Sequence, residues 1–141
     1  MSTATVRLVT GLVLIIHGIG HAMAFVPALN IFSNENWHTR SWLLNSVLGD
    51  TASRVIIIVL FAIPLIGFIA AGMGVFNWVV PHEWWPRLAI VSAVVGMIAL
   101  VIFWNAFASL FPNKVGAIAV NIAVLWGLLG SNALSQMLAE I

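Results

Sequence analysis

Four long segments of this 141-residue chain contain no Asp, Glu, Lys or Arg. They cover residues 8–34, 55–82, 88–113 and 115–139. An α-helix needs roughly 20 apolar residues to cross the hydrocarbon core of a bilayer, which is about 30 Å thick. Each segment is long enough for one crossing, and little of the chain is left over. The sequence therefore predicts an all-α integral membrane protein, a four-helix bundle in which residues 1–141 form one multi-pass transmembrane domain.

The composition agrees with this class and excludes several others. The chain is 62% hydrophobic and 6% charged, with a mean hydropathy of +1.13, whereas soluble domains are about 25% charged. The net charge is only +1 and no basic run is present, so we expect no nucleic acid partner. Because the chain has no cysteine, disulfides, thiolate catalysis and iron–sulfur ligation are excluded.

Proline residues help to set the boundaries of the predicted helices. Pro27 stops the first helix, and Pro64 predicts a kink within the second. The third helix begins near Pro86, a favoured first-turn residue, and ends before Pro112. The four predicted helices cover residues 5–25, 51–77, 86–110 and 114–137.

The longest connection joins the first and second helices. It contains several Trp and charged residues up to Trp42 and continues into the apolar Leu43, Leu44, Val47 and Leu48. This pattern fits either a short helix lying at the membrane surface, with its Trp rings at headgroup depth, or an ordered loop. Basic residues are divided between the two sides, so the orientation of the chain in the membrane stays undetermined.

Small residues recur every four positions along the fourth helix, at Ala119, Ala123, Gly127 and Ser131. Such a stripe lets helix backbones approach closely. We expect it to pack the fourth helix against a neighbour, either within the bundle or in a homo-oligomer.

Two histidines on the first helix form the best candidate site. In the run His17-Gly18-Ile19-Gly20-His21 the histidines are four residues apart, so they lie on one face of the helix, one turn above the other. Ionisable residues are rare within spanning helices and usually face the interior. The pair is therefore predicted to point into the bundle.

Two asparagines are predicted to lie at a similar depth. We call the membrane side of the N-terminus side A and the other side B. With a rise of about 1.5 Å per residue, His21, Asn105 and Asn121 each lie roughly 6–9 Å from side B. Trp104, which is next to Asn105, and Trp126 are expected to line the same cavity. The predicted ligand site consists of His17, His21, Trp104, Asn105, Asn121 and Trp126.

Three interpretations of this site stay open. In the first, the His and Asn side chains hydrogen-bond to one another and lock the helices, a purely structural role. In the second, they bind the carbonyl or hydroxyl group of a quinone, a sterol or a membrane lipid in a mostly apolar pocket. In the third, the histidines hold copper or zinc, or one of them binds a haem. The candidate metal ligands are His17, His21, His38 and Glu35, since the last two lie in the side-B connection.

Catalysis finds little support. No carboxylate lies within a predicted helix, and no nucleophile is paired with a base. We therefore predict no catalytic residue, and the sequence favours a protein without catalytic activity of its own.

The first helix reads RLVTGL at residues 7–12, followed by His17-Gly18. Together with four short helices, this resembles the DoxX-like family of small membrane proteins. The resemblance covers the hydropathy pattern of most of the chain. It implies a four-helix subunit associated with quinone-linked oxidation, either binding a quinone-like molecule or serving as an accessory subunit of a larger membrane redox complex. It favours these roles over metal binding.

Overall fold

The computed structural model describes residues 2–107, 113–131 and 136, and the secondary structure of these residues is helical apart from one isolated bridge between Asn34 and Trp37. Two α-helices, α1 and α2, are separated by a 3-10 turn, and three further α-helices follow. The α-helices are α1 (Thr3–Gly20), α2 (Phe25–Ala28), α3 (Asn45–Val75), α4 (Trp85–Ile102) and α5 (Val115–Leu125). Shorter 3-10 turns cover His21–Ala24, His82–Trp84 and Trp104–Ala106, and a π-helical turn covers Trp126–Gly130.

Three helical stretches are long and apolar enough to cross a membrane, judged by length and composition. They are Thr3–Ala28, Asn45–Val75 and His82–Ile102. A fourth stretch, Val115–Gly130, is apolar but shorter. With α1 and α2 counted as one stretch, the described residues form four helical stretches and no strand, so the prediction of an all-helical architecture with four helices is confirmed. The predicted end of the fourth helix, at residue 137, lies outside the described residues.

The first helical stretch continues past Pro27, where the sequence predicted it to stop. A 3-10 turn at His21–Ala24 separates α1 from α2, and Pro27 is the third residue of α2. The first N–H groups of a helix have no intrahelical partner, so a residue without an N–H is tolerated there.

Within α3, the departure from helical geometry lies at Gly49 and not at Pro64. Gly49 is the one residue of this helix with non-helical backbone angles, φ 77° and ψ 177°, which glycine adopts without steric cost. Residues 45–48 consequently form a single helical turn ahead of the long part of α3. This turn is where the predicted surface helix falls, and Pro64 lies buried in helical backbone.

Glycine residues bring α1 and α3 into close contact. A Cβ atom placed on Gly72 would lie 2.7 Å from the carbonyl oxygen of Gly11 and 3.2 Å from Cδ1 of Ile15. One placed on Gly18 would lie 3.0 Å from the carbonyl oxygen of Leu65. At these positions glycine is required because the two backbones leave no room for a side chain.

The later helices pack against their neighbours in the sequence: α3 contacts α4, and α4 contacts α5. Phe68 of α3 is fully buried at the centre, against Ala89 and Ala93 of α4 and Leu128 beyond α5. These small and large side chains interdigitate across the helices. The outcome is an apolar core shared by the helices, and a side-chain contact between His17 and Asn121 joins α1 to α5.

The connection between α2 and α3 is hydrogen-bonded to the end of α4. The hydroxyl of Ser41 donates to the carbonyl of Ile102 at 2.6 Å. Trp42 donates from its indole N–H to the carbonyl of Val101 at 2.7 Å and from its backbone N–H to Oδ1 of Asn105 at 2.9 Å. These bonds satisfy carbonyls that the helix end leaves without a partner. Because they hold the backbone there, α4 ends well before its predicted end.

The small-residue stripe of α5 faces outward over most of its length. Ala119, Ala123 and Ser131 are exposed, and Gly127 alone of the four is buried. The prediction that the stripe packs α5 within the bundle is therefore wrong for these three residues in this chain. The contact of α5 with α1 depends on polar side chains instead.

Candidate functional site

The two predicted histidines lie on one face of the first helical stretch, beside α5. Their ring centroids are 5.0 Å apart and the ring planes cross at 77°. Nε2 of His17 lies 2.9 Å from Oδ1 of Asn121, so the imidazole N–H donates to the amide oxygen. Asn121 is fully buried and His21 is 5% exposed. The three residues that the sequence placed at one depth are thus close together.

Aromatic rings of α3 form the inner wall behind the histidines. Phe68 lies edge-on to His17, with 4.7 Å between the centroids, and stacks on His21 at 5.9 Å with an interplanar angle of 12°. Phe61 packs against His21 at 5.7 Å. The rings fix the orientation of both imidazoles and exclude water from that side.

Two buried polar atoms at this site have no hydrogen-bond partner among the described residues, namely Nε2 of His21 and Nδ2 of Asn121. Both face Gly96 of α4. A Cβ atom on Gly96 would lie 3.5 Å from the first atom and 3.3 Å from the second. Buried polar groups are nearly always paired, so two unpaired nitrogens around one glycine indicate a position suited to an additional polar atom.

A cavity of about 370 Å³ lies between α1 and α5 next to the histidine pair. Both histidines line it, and the walls along the two helices are otherwise mostly apolar, as at Ile16 and Val120. Ile16 is 66% exposed at the outer surface of α1. The cavity therefore opens sideways, through the apolar surface between the two helices.

The other residues predicted for the ligand site lie elsewhere. Asn105 is exposed and accepts the hydrogen bond from Trp42 that anchors the connection to α4. The Trp104 ring is 40% exposed and Trp126 is 70% exposed, and neither lines the cavity. The structure thus brings together three of the six predicted residues.

Three residues that the sequence analysis did not select contribute to the site. Gly96 makes room beside the unpaired nitrogens, Phe68 orients both imidazoles, and Lys114 lines the side-B end of the cavity. The sequence carried a signal for Lys114 only, since it is the single charged residue between the third and fourth charge-free segments. The positions of the other two depend on helix packing that no local pattern reports.

The candidate metal ligands do not converge. Within residues 2–107, 113–131 and 136, no group of three His, Asp or Glu side chains lies close enough to hold a metal ion. Glu35 and His38 line a separate polar depression at the surface, together with Arg40 and Arg54. Burial lowers the pKa of His38, and the positive charge of Arg40 lowers this pKa further. Among these residues the histidine pair therefore lacks the further ligand that the metal interpretation needs.

The site combines hydrogen-bonding groups with a mostly apolar cavity, and none of the described residues that form it carries a carboxylate. Such an arrangement can orient an oxygen-bearing group and enclose an apolar body. Comparisons of the chain with protein-family models, with curated proteins and with solved structures found no match.

Proposed function

We propose that this chain is an integral membrane protein whose four helices form a bundle across the bilayer. The outward faces of the long helices support this proposal, because large apolar side chains recur along them at helical spacing. The exposed positions on the three long helices include Leu8, Leu12, Ile16, Ile19, Val55, Val59, Ile63, Ile66, Val91, Val94, Ile98 and Val101. Continuous apolar stripes of this kind are unfavourable in water and match a hydrocarbon environment.

The distribution of exposed tryptophans also supports a membrane position. Trp78 and Trp84 lie 66% and 54% exposed in the side-A connection. Trp42 and Trp104 lie 58% and 40% exposed near the side-B ends of the helices. Tryptophan is enriched at both membrane–water interfaces. Four of the five exposed tryptophans lie at these two levels, with apolar stripes between them, which is the expected pattern for a spanning bundle. The fifth, Trp126, lies within the fourth helical stretch.

Within this bundle the proposed function is to bind an amphiphile, a molecule with an apolar body and an oxygen-bearing polar end. A quinone or a membrane lipid has this chemistry. The observation that carries the proposal is the cavity between α1 and α5, which has mostly apolar walls and two histidines and opens through an apolar surface. A ligand dissolved in the bilayer would enter sideways without crossing water.

The unpaired nitrogens favour ligand binding over a purely structural lock. Leaving a buried polar group without a partner costs about 1–3 kcal/mol, and this site leaves two, on His21 and Asn121. Of these residues only His21 lines the cavity, so a ligand's carbonyl or hydroxyl oxygen would bind at its imidazole, whereas Nδ2 of Asn121 faces Gly96, which is not part of the cavity wall. A site formed only to join helices gains nothing from leaving these atoms unsatisfied.

The DoxX-like resemblance extends this proposal to the cellular role. A quinone-binding subunit of that kind would act as an accessory subunit in a larger membrane redox complex or in a homo-oligomer. The chemistry would then be carried out by a partner, while this chain holds the apolar molecule near it.

The cavity itself provides the test. Ala117 of α5 lines the cavity, and Ala119 lies two residues further along the same helix on the exposed face. Protein in a mild detergent is titrated with decylubiquinone or palmitate, and bound amphiphile is counted by native mass spectrometry. We expect Ala117→Leu to weaken binding about tenfold by filling the cavity, whereas Ala119→Leu binds like the unmodified chain.

Two results would contradict the proposal. One is that neither amphiphile binds the unmodified protein and that organic extraction recovers no lipid from it. The other is that Ala117→Leu and Ala119→Leu bind equally well. Either result would favour the structural interpretation of the His and Asn side chains.

A further inference from the structure

A lysine lies at the side-B end of the cavity. Lys114 immediately precedes α5, lines the cavity and is only 8% exposed. Its Nζ atom lies 5.0 Å from the ring centroid of Trp104. Among the described residues that line the cavity, it is the one lysine or arginine. The cavity thus has one cationic end, histidines along its length and apolar walls elsewhere.

This cation has no anionic partner in the described part of the chain. No hydrogen bond or ion pair of its ammonium group accompanies the contact with Trp104. A tryptophan ring offers roughly 0.5–2 kcal/mol to a cation, which compensates only partly for removing an ammonium group from water. An anion brought by the ligand would complete the environment of Lys114.

We infer that the cavity binds an amphiphile with an anionic head, a carboxylate or a phosphate, which pairs with the Lys114 ammonium. This inference rests on the proposed function, because it requires that the cavity hold an amphiphile at all. Between Ala24 and Val13, which both line the cavity, the first helical stretch rises about 18 Å, since the 3-10 turn at its end rises faster per residue than the α-helix. An acyl chain laid along this path has apolar walls beside it, while its head stays at side B. The four-carbon stem of the lysine lets the ammonium turn from the Trp104 ring towards the head.

The inference predicts a preference that depends on charge and not on the chain. Palmitate and hexadecanol share the same alkyl chain and differ in the head, so their affinities for the detergent-solubilised protein isolate the contribution of charge. In alkaline buffer, we expect palmitate to bind about tenfold more tightly than hexadecanol, as a charge-assisted hydrogen bond predicts. Lys114→Gln should remove this preference by weakening palmitate alone, and Lys114→Arg should keep it.

Two further ligands and one further variant complete the experiment. Lysophosphatidic acid presents a phosphate head on the same kind of chain, whereas inorganic phosphate presents the anion alone. Arg54→Gln removes a basic side chain from side B without altering the cavity, because Arg54 lines the separate polar depression. We expect lysophosphatidic acid to compete with palmitate, inorganic phosphate to fail, and Arg54→Gln to behave like the unmodified chain.

The outcomes separate this inference from the proposed function. Equal binding of palmitate and hexadecanol, or a preference that survives Lys114→Gln, would overturn the anionic head while leaving amphiphile binding intact. Displacement of palmitate by inorganic phosphate would show a site for free anions and overturn the lipid ligand. Binding of hexadecanol to the Lys114→Gln variant would show that this variant is folded. If no amphiphile binds any form of the protein, the proposed function itself fails.

Discussion

Helix α1 contacts its two neighbours in opposite ways. Towards α3 it presents glycine, and the backbones come so close that a Cβ atom on Gly72 would lie 2.7 Å from the carbonyl oxygen of Gly11. Towards α5 it presents His17, followed by His21 in the next turn, with a cavity of about 370 Å³ beside them. One side of the helix is closed by backbone contact, and the other is bridged by a hydrogen bond from His17 to Asn121.

Side-chain volume explains the difference. Glycine lets two helices approach until dispersion acts along the whole contact, which is a major source of helix association in lipid. Imidazole and amide groups keep the helices apart and must find polar partners. The α1–α3 contact, which we call the closed contact, is therefore suited to stability. The α1–α5 contact, which we call the open contact, is suited to holding an additional molecule.

The largest effect is expected from a side chain placed in the closed contact. Gly72→Val would bring its branched carbons against the Ile15 side chain and the Gly11 carbonyl, and the carbonyl can yield only if the α1 backbone shifts. We expect a loss of about 2–3 kcal/mol in the free energy of unfolding, measured by titration with dodecyl sulfate in mixed micelles. Unchanged stability would show that α1 and α3 are further apart than described.

A substitution on the open side of α1 is expected to change stability less, and to raise it. A Cβ atom on Gly20 meets no atom within 4 Å. Gly20→Ala should therefore stabilise the protein by roughly 0.5–1 kcal/mol, because alanine loses less backbone entropy than glycine in a helix. The same dodecyl sulfate titration checks this. A loss of stability would mean that α5 closes over Gly20 and that the cavity is smaller than described.

The sequence predicted the open contact only in part. The four-residue spacing of His17 and His21 places them on one helix face, and the position of Asn121 along its helix places it at a similar depth. Both follow from helix geometry, so the sequence alone could bring these three residues together. The same geometry gave a wrong position for Asn105, because α4 ends at Ile102 and Asn105 lies beyond it. That end depends on hydrogen bonds from the connection at Ser41 and Trp42, and such contacts leave no mark in the sequence of α4.

Small side chains alone do not determine which helix faces meet. Gly11 and Gly72 lie in the closed contact, whereas Ala119 and Ala123 have equally small side chains and face outward. A small residue permits close approach without requiring it. Which helix faces meet depends on the packing of all four helices, so it cannot be read from one helix alone.

The hydrogen bond between His17 and Asn121 is expected to contribute modestly. A double-mutant cycle with His17→Leu, Asn121→Leu and the double variant measures the coupling free energy by the same titration. We expect about 0.6 kcal/mol, the average that such cycles give for interhelical hydrogen bonds in one membrane protein, and at most about 1.7 kcal/mol. A coupling near zero would mean that the two side chains do not pair in the folded protein, and the open contact would then lack its bridge.

The smallest expected effect is a pH dependence of stability that arises from His38. It must be removed before the pH response of the histidines in the open contact can be measured. His38 lies in the connection between α2 and α3, where its Nδ1 accepts a hydrogen bond from the backbone N–H of Arg40 at 3.1 Å. Protonation of Nδ1 would break this bond. Burial and the charge of Arg40 lower the His38 pKa from its ordinary value of 6.5, so the folded connection binds a proton less readily than the unfolded one.

The sign of the effect follows from this difference in proton binding. Above pH 6.5 both states are neutral at His38 and its contribution to stability is complete. As the pH falls below that value, the unfolded connection takes up a proton first, so the folded connection loses stability until its own lowered pKa is passed. Hydrogen exchange at the Arg40 amide, corrected for the intrinsic rate, should therefore accelerate on acidification, and His38→Gln should remove this change. Exchange that slows on acidification would contradict the lowered pKa. Any pH dependence of global unfolding that His38→Gln retains must come from other titratable groups, His17 and His21 of the open contact among them.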